Sequence, residues 1–243
     1  MQATLYIIGV GPGDPDLLTI KALNVLRNCP VVATPKALAH GHSTALSIVQ
    51  QALPAGEMSG KEIVEFHFPM KKIHLGQEPD PEVLQAWQDA AARIFAILSQ
   101  GRDVAFPTLG DPAIYSTGYY LYATMIEMHP EVRVRFVPGI SAMSSCSATI
   151  RTPICLGDDM LAVIPATFSD SRLRQILENF DTIVLMKVHR VIDNLISLLN
   201  ELNLLDKATL VERVGMADER VLADLSAIDG QVHYFSTIIV RKK

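Results

Sequence analysis

Three stretches of this chain set glycine beside residues that cap helices, a combination suited to holding a small ligand. They are Gly9-Val-Gly-Pro-Gly-Asp-Pro15, Leu109-Gly-Asp-Pro112 and Pro138-Gly-Ile-Ser141. In each, a β-rich apolar run stops at glycine and a helix-capping residue follows. Asp14 and Asp111 both precede proline, which suits a first helical position because its missing N–H would have no partner there. In a parallel sheet such junctions gather at the carboxyl edge, where ligands bind. The pattern holds no Ser-His-Asp grouping and no Cys-His pair for nucleophilic catalysis. It is not a dinucleotide fingerprint either. The third glycine comes one position early, Pro12 removes a backbone donor, and Ala33-Thr34-Pro35-Lys36 lacks the acid that would bind a ribose. His40-Gly-His42 has no third ligand in sight, so no metal is expected.

Those junctions need strands and helices to position them. β-rich runs at 5–10, 31–34, 63–68, 104–108 and 132–137 alternate with helical spacing at 16–27, 44–53 and 81–99. That order implies a parallel sheet with both faces covered. Beyond Ser141, a small-residue helix at 141–150 precedes strands at 160–166, 182–188, 208–214 and 234–241, with helices at 170–179 and 191–203. The last strand is expected to pair antiparallel with the stretch at 220–222. The fold class is therefore α/β in two domains: 1–139 with a parallel sheet and 140–243 with a mixed one, a ligand cleft lying between them. Residues 54–82, rich in proline and glycine, are the least regular stretch and read as a functional loop.

Composition narrows the class further. Of 243 residues, 49% are apolar and 19% charged, which fits a globule and not a disordered chain. A formal charge of −5 disfavours broad nucleic-acid binding. No apolar stretch approaches the roughly 18–20 residues that span a bilayer, and the first residues carry no basic leader, so neither membrane nor export is expected. Cys29, Cys146 and Cys155 show no Cys-x-x-Cys spacing and read as three buried thiols in a reducing cytoplasm.

Taken together and in this order, the segments Gly9–Ala22, Gly110–Ser116 and Val137–Ala142 resemble the tetrapyrrole methyltransferases of sirohaem and cobalamin synthesis. The resemblance implies the two-domain class III methyltransferase fold, a homodimer, and S-adenosylmethionine bound in the cleft. It puts cofactor contacts on Pro12, Leu109, Gly110, Asp111, Ile114 and Tyr115 in the first domain. In the second it puts them on Ser141, Ala142, Met186, Val214 and Gly215. It turns the first glycine loop, with Gly11 and Asp14, toward the tetrapyrrole. Pro35-Lys36, Ser43–Ile48 and Glu65-Phe-His-Phe-Pro-Met70 resemble the subgroup that methylates carbon 20 of precorrin-2 or its cobalt form, except that Lys71-Lys72 follows Met70 where threonine is frequent. Another ring position, diphthine synthase chemistry, or a carrier without chemistry are the competing readings.

Methyl transfer from a sulfonium to an electron-rich carbon needs alignment and a dry site more than a protein nucleophile. A base could remove the proton afterwards, with Tyr115 and His67 the candidates. The substrate carries several carboxylates, and Lys36, Lys71, Lys72 and Arg151 stand in loops or at helix ends where they could meet them.

Overall fold

A computed structural model describes residues 3–36, 43–67, 80–228 and 231–243. The chain divides into two compact units, Met1–Ile140 and Ser141–Lys243.

The first unit is built from β1 (Thr4–Gly9), α1 (Ile20–Asn28), β2 (Val31–Lys36), α2 (Thr44–Ala52), a single turn α3 (Ala55–Met58), β3 (Glu62–His67), α4 (Pro81–Leu98), β4 (Val104–Thr108), α5 (Gly118–Met128) and β5 (Arg133–Val137). Its sheet has the order β3-β2-β4-β1-β5, and every pairing is parallel. Alternation of side chains sends Leu5, Ile7, Val104 and Phe106 toward Trp87, Ala91 and Ile94 of α4 and Leu121 and Met125 of α5. Ile8 and Ala105 go the other way, toward Ala22 and Leu26 of α1 and Ile48 and Val49 of α2. Both faces are covered, which is why these strands read as continuous apolar runs.

Local chemistry starts the helices. Thr19 caps α1, accepting from the Ala22 N–H at 3.1 Å, and Asp14 caps a short 3-10 turn at Pro15–Leu17. The helical spacing from residue 16 is thus split, and the α-helix begins at Ile20. No helix follows Pro112 directly: residues 112–115 form a turn, and α5 starts at Gly118 without a side-chain cap. Ser43 caps α2 through the Leu46 N–H at 3.3 Å, and its hydroxyl lies 2.7 Å from that of buried Thr34. Ser43→Ala removes the cap and strands the Thr34 hydroxyl away from water. The expected loss is about 1–2 kcal/mol of stability, read by urea unfolding from the fluorescence of Trp87, the single tryptophan.

The second unit holds α6 (Ala142–Ile150), β6 (Leu161–Pro165), α7 (Asp170–Asn179), β7 (Thr182–Met186), α8 (Ile192–Glu201), β8 (Ala208–Glu212), β9 (Arg220–Leu222) and β10 (Ser236–Arg241). The sheet order is β6-β7-β10-β8-β9; β6 and β7 are parallel and the other pairs antiparallel. Residues 220–222 pair with β8, not with the last strand: β10 is flanked on both sides, by β7 and β8, and has no edge left to offer. Leu185, Leu210 and Ile238 pack against Leu173, Leu177, Leu195 and Leu199 of α7 and α8. Val184, Val211 and Ile239 face Cys146 of α6.

Two of the three thiols are buried as expected and one is not. Burial pushes the thiols of Cys29 and Cys146 up to about 12, whereas Cys155 is exposed in the stretch between α6 and β6. The chain on either side of Cys155 is tied down by Arg241. Asp159 meets Arg241 at 2.8 Å, and the Arg241 guanidinium also donates to the carbonyl of Ile154 at 3.2 Å.

Candidate active site

The three glycine junctions converge at the carboxyl edge of the first sheet. Gly9 is level with Thr108, and Ile8 with Val137, so β1, β4 and β5 end together. Past the strands the first two loops bond to each other. The N–H of Val10 donates to the Thr108 carbonyl at 3.0 Å, and Gly11 and Gly110 exchange bonds of 3.3 and 2.8 Å. Gly11 and Gly110 have φ of 79° and 70°, left-handed values that favour glycine. The third junction closes on these two. A Cβ on Gly139 would lie 2.4 Å from the Gly110 carbonyl oxygen and 2.7 Å from the Gly9 carbonyl carbon. Gly9 and Gly139 are glycines so that three backbones can meet.

Asp111 ties the same loops together. One carboxylate oxygen accepts from the Ala113 N–H at 2.7 Å, the other from the Gly139 N–H at 3.0 Å. The turn that follows ends at Tyr115, a non-glycine residue at φ 51° whose side chain is half exposed. Partial burial pushes its phenol above the usual tyrosine range. Ser116 then anchors the far end. Its buried hydroxyl lies 2.7 Å from the Thr108 hydroxyl and accepts from the Gly118 N–H at 3.0 Å. Leu109 and Ile114 are half-buried, and Pro12 is buried. Asp14 spends a carboxylate oxygen on the Asp16 N–H at 2.9 Å.

In the second unit, Ser141 caps α6, accepting from the Ser144 N–H at 3.3 Å, and Ala142 is the first helical residue. β7 and β8 both run antiparallel to β10, so their carboxyl ends lie on one edge of the sheet. Met186 and the Val214-Gly215 turn therefore stand at that edge. Gly215 has φ 74°, and its N–H donates to the Glu219 carboxylate at 2.7 Å.

Of the named residues, Arg151 stands away from these edges, and His67 shares the carboxyl edge of the first sheet but lies apart from the glycine turns. Arg151 closes the far end of α6 at φ 55°, a helix length of roughly 13 Å from Ser141. His67 ends the edge strand β3, exposed, two strand spacings or about 10 Å from β4. Lys36 ends β2, while Met70, Lys71, Lys72 and the His40-Gly-His42 pair lie outside the described residues. Reading the sequence missed Ser116, Gly139 and Glu219 as organisers of these turns. A serine two residues before a helix start is a legible signal; the reach of Gly139 to Gly9 is not.

The sequence model of the tetrapyrrole (corrin/porphyrin) methylases matches residues 4–229. The chain belongs to that family. The chain is 32% identical over 245 residues to the cobalt-precorrin-2 C(20)-methyltransferase of Salmonella typhimurium, covering 100% of the chain and 98% of that relative. It is 34% identical over 235 residues, 97% of the chain, to the cobalamin biosynthesis protein CobIJ of Mycobacterium tuberculosis, of whose length it spans 45%. Its fold matches the crystal structure of the uroporphyrin-III C-methyl transferase from Thermus thermophilus complexed with S-adenyl homocysteine. There the TM-score is 0.64 at 19% identity, over 99% of this chain and 92% of the other. Among the described residues no three His, Cys, Asp or Glu side chains are grouped to hold a metal ion, and no helix is long and apolar enough to cross a membrane.

Proposed function

We propose that this tetrapyrrole methylase transfers a methyl group from S-adenosylmethionine to carbon 20 of precorrin-2 or its cobalt form, in cobalamin synthesis. The observation that carries this reading is the end-to-end likeness to the Salmonella typhimurium C(20)-methyltransferase. Membership of a methylase family and the solved neighbour with S-adenyl homocysteine support the cofactor. We take the protein to act as a cytoplasmic homodimer.

Each unit offers groups that suit such a cofactor. Gly110 offers backbone with no Cβ at a strand end, Leu109 and Ile114 beside it are apolar and half-buried, and the Gly215 N–H meets only an exposed carboxylate that a ligand could displace. Bound there, S-adenosylmethionine supplies an electrophilic methyl group. Leu109, Ile114 and Met186 would keep water from it, and the glycine turns would hold it in line, the kind of alignment that contributes up to about 7–11 kcal/mol in favourable cases. We give contacts also to Pro12, Tyr115, Ser141, Ala142 and Val214, and substrate contacts to Gly11, Asp14, Lys36 and Arg151. A phenol held above the usual range stays protonated at neutral pH. Tyr115 is therefore assigned the part of a hydrogen-bond donor and not that of the base.

Anaerobic incubation with methyl-labelled S-adenosylmethionine and precorrin-2, with and without cobalt, tests the reading by NMR of the product. One new methyl on carbon 20 is expected. A methyl on another carbon overturns the regiochemistry, and no transfer to either form overturns the substrate.

A further inference from the structure

We infer that Asp111 is a positioning residue: its carboxylate latches the loop after β4 to the loop after β5 and thereby shapes the ligand edge, instead of touching the ligand. The inference rests on the proposed cofactor reading of that edge and changes the part played by one of its residues. Both carboxylate oxygens are already engaged, one by the Ala113 N–H and one by the Gly139 N–H, the latter 28 residues away in sequence. Bonds from backbone N–H to a carboxylate are about twice as strong as neutral ones, so these two partners fix the direction of the side chain and tie the two loops to it.

The latch sits where the backbone most needs one. Gly139 packs against Gly9 and Gly110 with no room for a side chain. A few residues along, Tyr115 holds a left-handed φ of 51°, a conformation that costs a non-glycine residue roughly 1–2 kcal/mol and persists only where its surroundings over-determine it. Asp111 constrains the near end of that turn and Ser116 the far end, through Thr108 and the Gly118 N–H. Ile114, half-buried, lies between those two anchors, and Gly110 directly precedes the first. Losing the latch frees them without removing any group that touches the ligand.

The experiment compares the wild type with the isosteric Asp111→Asn and with Asp111→Ala, measuring affinity for S-adenosylmethionine and for S-adenosylhomocysteine by calorimetry. Exchange rates of the Gly139 and Ala113 amides are followed in the same samples. The two ligands differ in the charge on sulfur, which a carboxylate against the sulfonium would discriminate and a latch between loops would not. A latch predicts that both affinities fall by the same factor, about tenfold for a loss near 1.4 kcal/mol, with faster exchange at Gly139 in Asp111→Ala. In Asp111→Asn a single side-chain oxygen is left to serve the Gly139 and Ala113 N–H groups, so at least one of the two amides opens, and in Asp111→Ala both do. A larger loss for S-adenosylmethionine than for the homocysteine form overturns the inference in favour of direct contact. Lower thermal stability with unchanged affinities reduces Asp111 to a structural residue, and unaltered exchange at Gly139 in Asp111→Ala removes the latch. A wild type that binds neither ligand overturns the cofactor reading and this inference with it.

Discussion

Gly139→Ala is expected to cost at least about 3 kcal/mol of stability in the first unit. The added methyl would stand 2.4 Å from the carbonyl oxygen of Gly110 and within 2.8 Å of Gly9 backbone atoms. A side chain in that position could rotate away, but backbone cannot, because Gly9 and Gly110 are held by the β1–β4 register and by the paired Gly11–Gly110 bonds. Relief would need the β5 end to withdraw from β1 and β4, which breaks the Asp111–Gly139 bond as well. Against a typical total of 5–15 kcal/mol, such a loss lowers the urea midpoint steeply. Trp87 reports it, since it packs in the core of that unit. Gly56→Ala is the matched control: nothing lies within 4 Å of its added Cβ, so the change should be neutral or stabilise by up to about 1 kcal/mol. Equal midpoints for the two variants would mean that the three junctions do not meet as described.

The second large effect is expected at Glu212, which ends β8 with its side chain buried. One oxygen accepts from the His233 N–H at 2.6 Å, and the other pairs with Arg220 across the β8–β9 ladder. Burial pushes this carboxyl up, but the His233 N–H and the Arg220 pair, with Arg213 adding its charge, outweigh it and hold the group below its usual 4.5. Removing one partner of a buried pair costs about 3–5 kcal/mol. Glu212→Ala should fall at the low end, because Arg220 is partly exposed and can be solvated once alone. Glu212→Gln keeps an acceptor for His233 and should cost less.

The sign with pH follows from linkage. The folded state holds this carboxyl below its unfolded value, so the unfolded chain binds more protons in acid. The stabilisation is present above 4.5 and is lost as pH falls through the lowered folded value. Unfolding of wild type and Glu212→Gln followed by circular dichroism from pH 7 downward should therefore show two curves that converge in acid. A gap that stays constant with pH would remove the charge from the explanation. Asp159 and Asp181 are lowered as well, first by the Leu156 N–H and by Lys243 respectively, so the variant retains some acid sensitivity.

Much of this was legible in sequence because it is local. Parallel strands buried on both faces read as apolar runs, and β1, β4 and α7 fall where the pattern puts them. Thr19, Ser43 and Ser141 are caps within three residues of what they cap. α5 escaped the pattern because it opens on Gly118-Tyr-Tyr with no side-chain bond from Thr117 at its cap position, and because glycine there clears Ile7 of β1, where a Cβ would come within 2.6 Å of a methyl.

What the sequence determined by itself is the family, the two α/β units and the glycine-rich strand ends, since each rests on residues adjacent in the chain. The tertiary structure alone decided that β4 lies between β2 and β1, that β9 pairs with β8, and that Cys155 is exposed. It alone decided what Asp111 bonds. A carboxylate after glycine and before proline reads equally as cap or ligand until the Gly139 N–H is seen to reach it from the loop after β5. Hydrogen bonds across 28 residues depend on strand order, and strand order is set by how whole helices cover the sheet, which no short window of sequence contains.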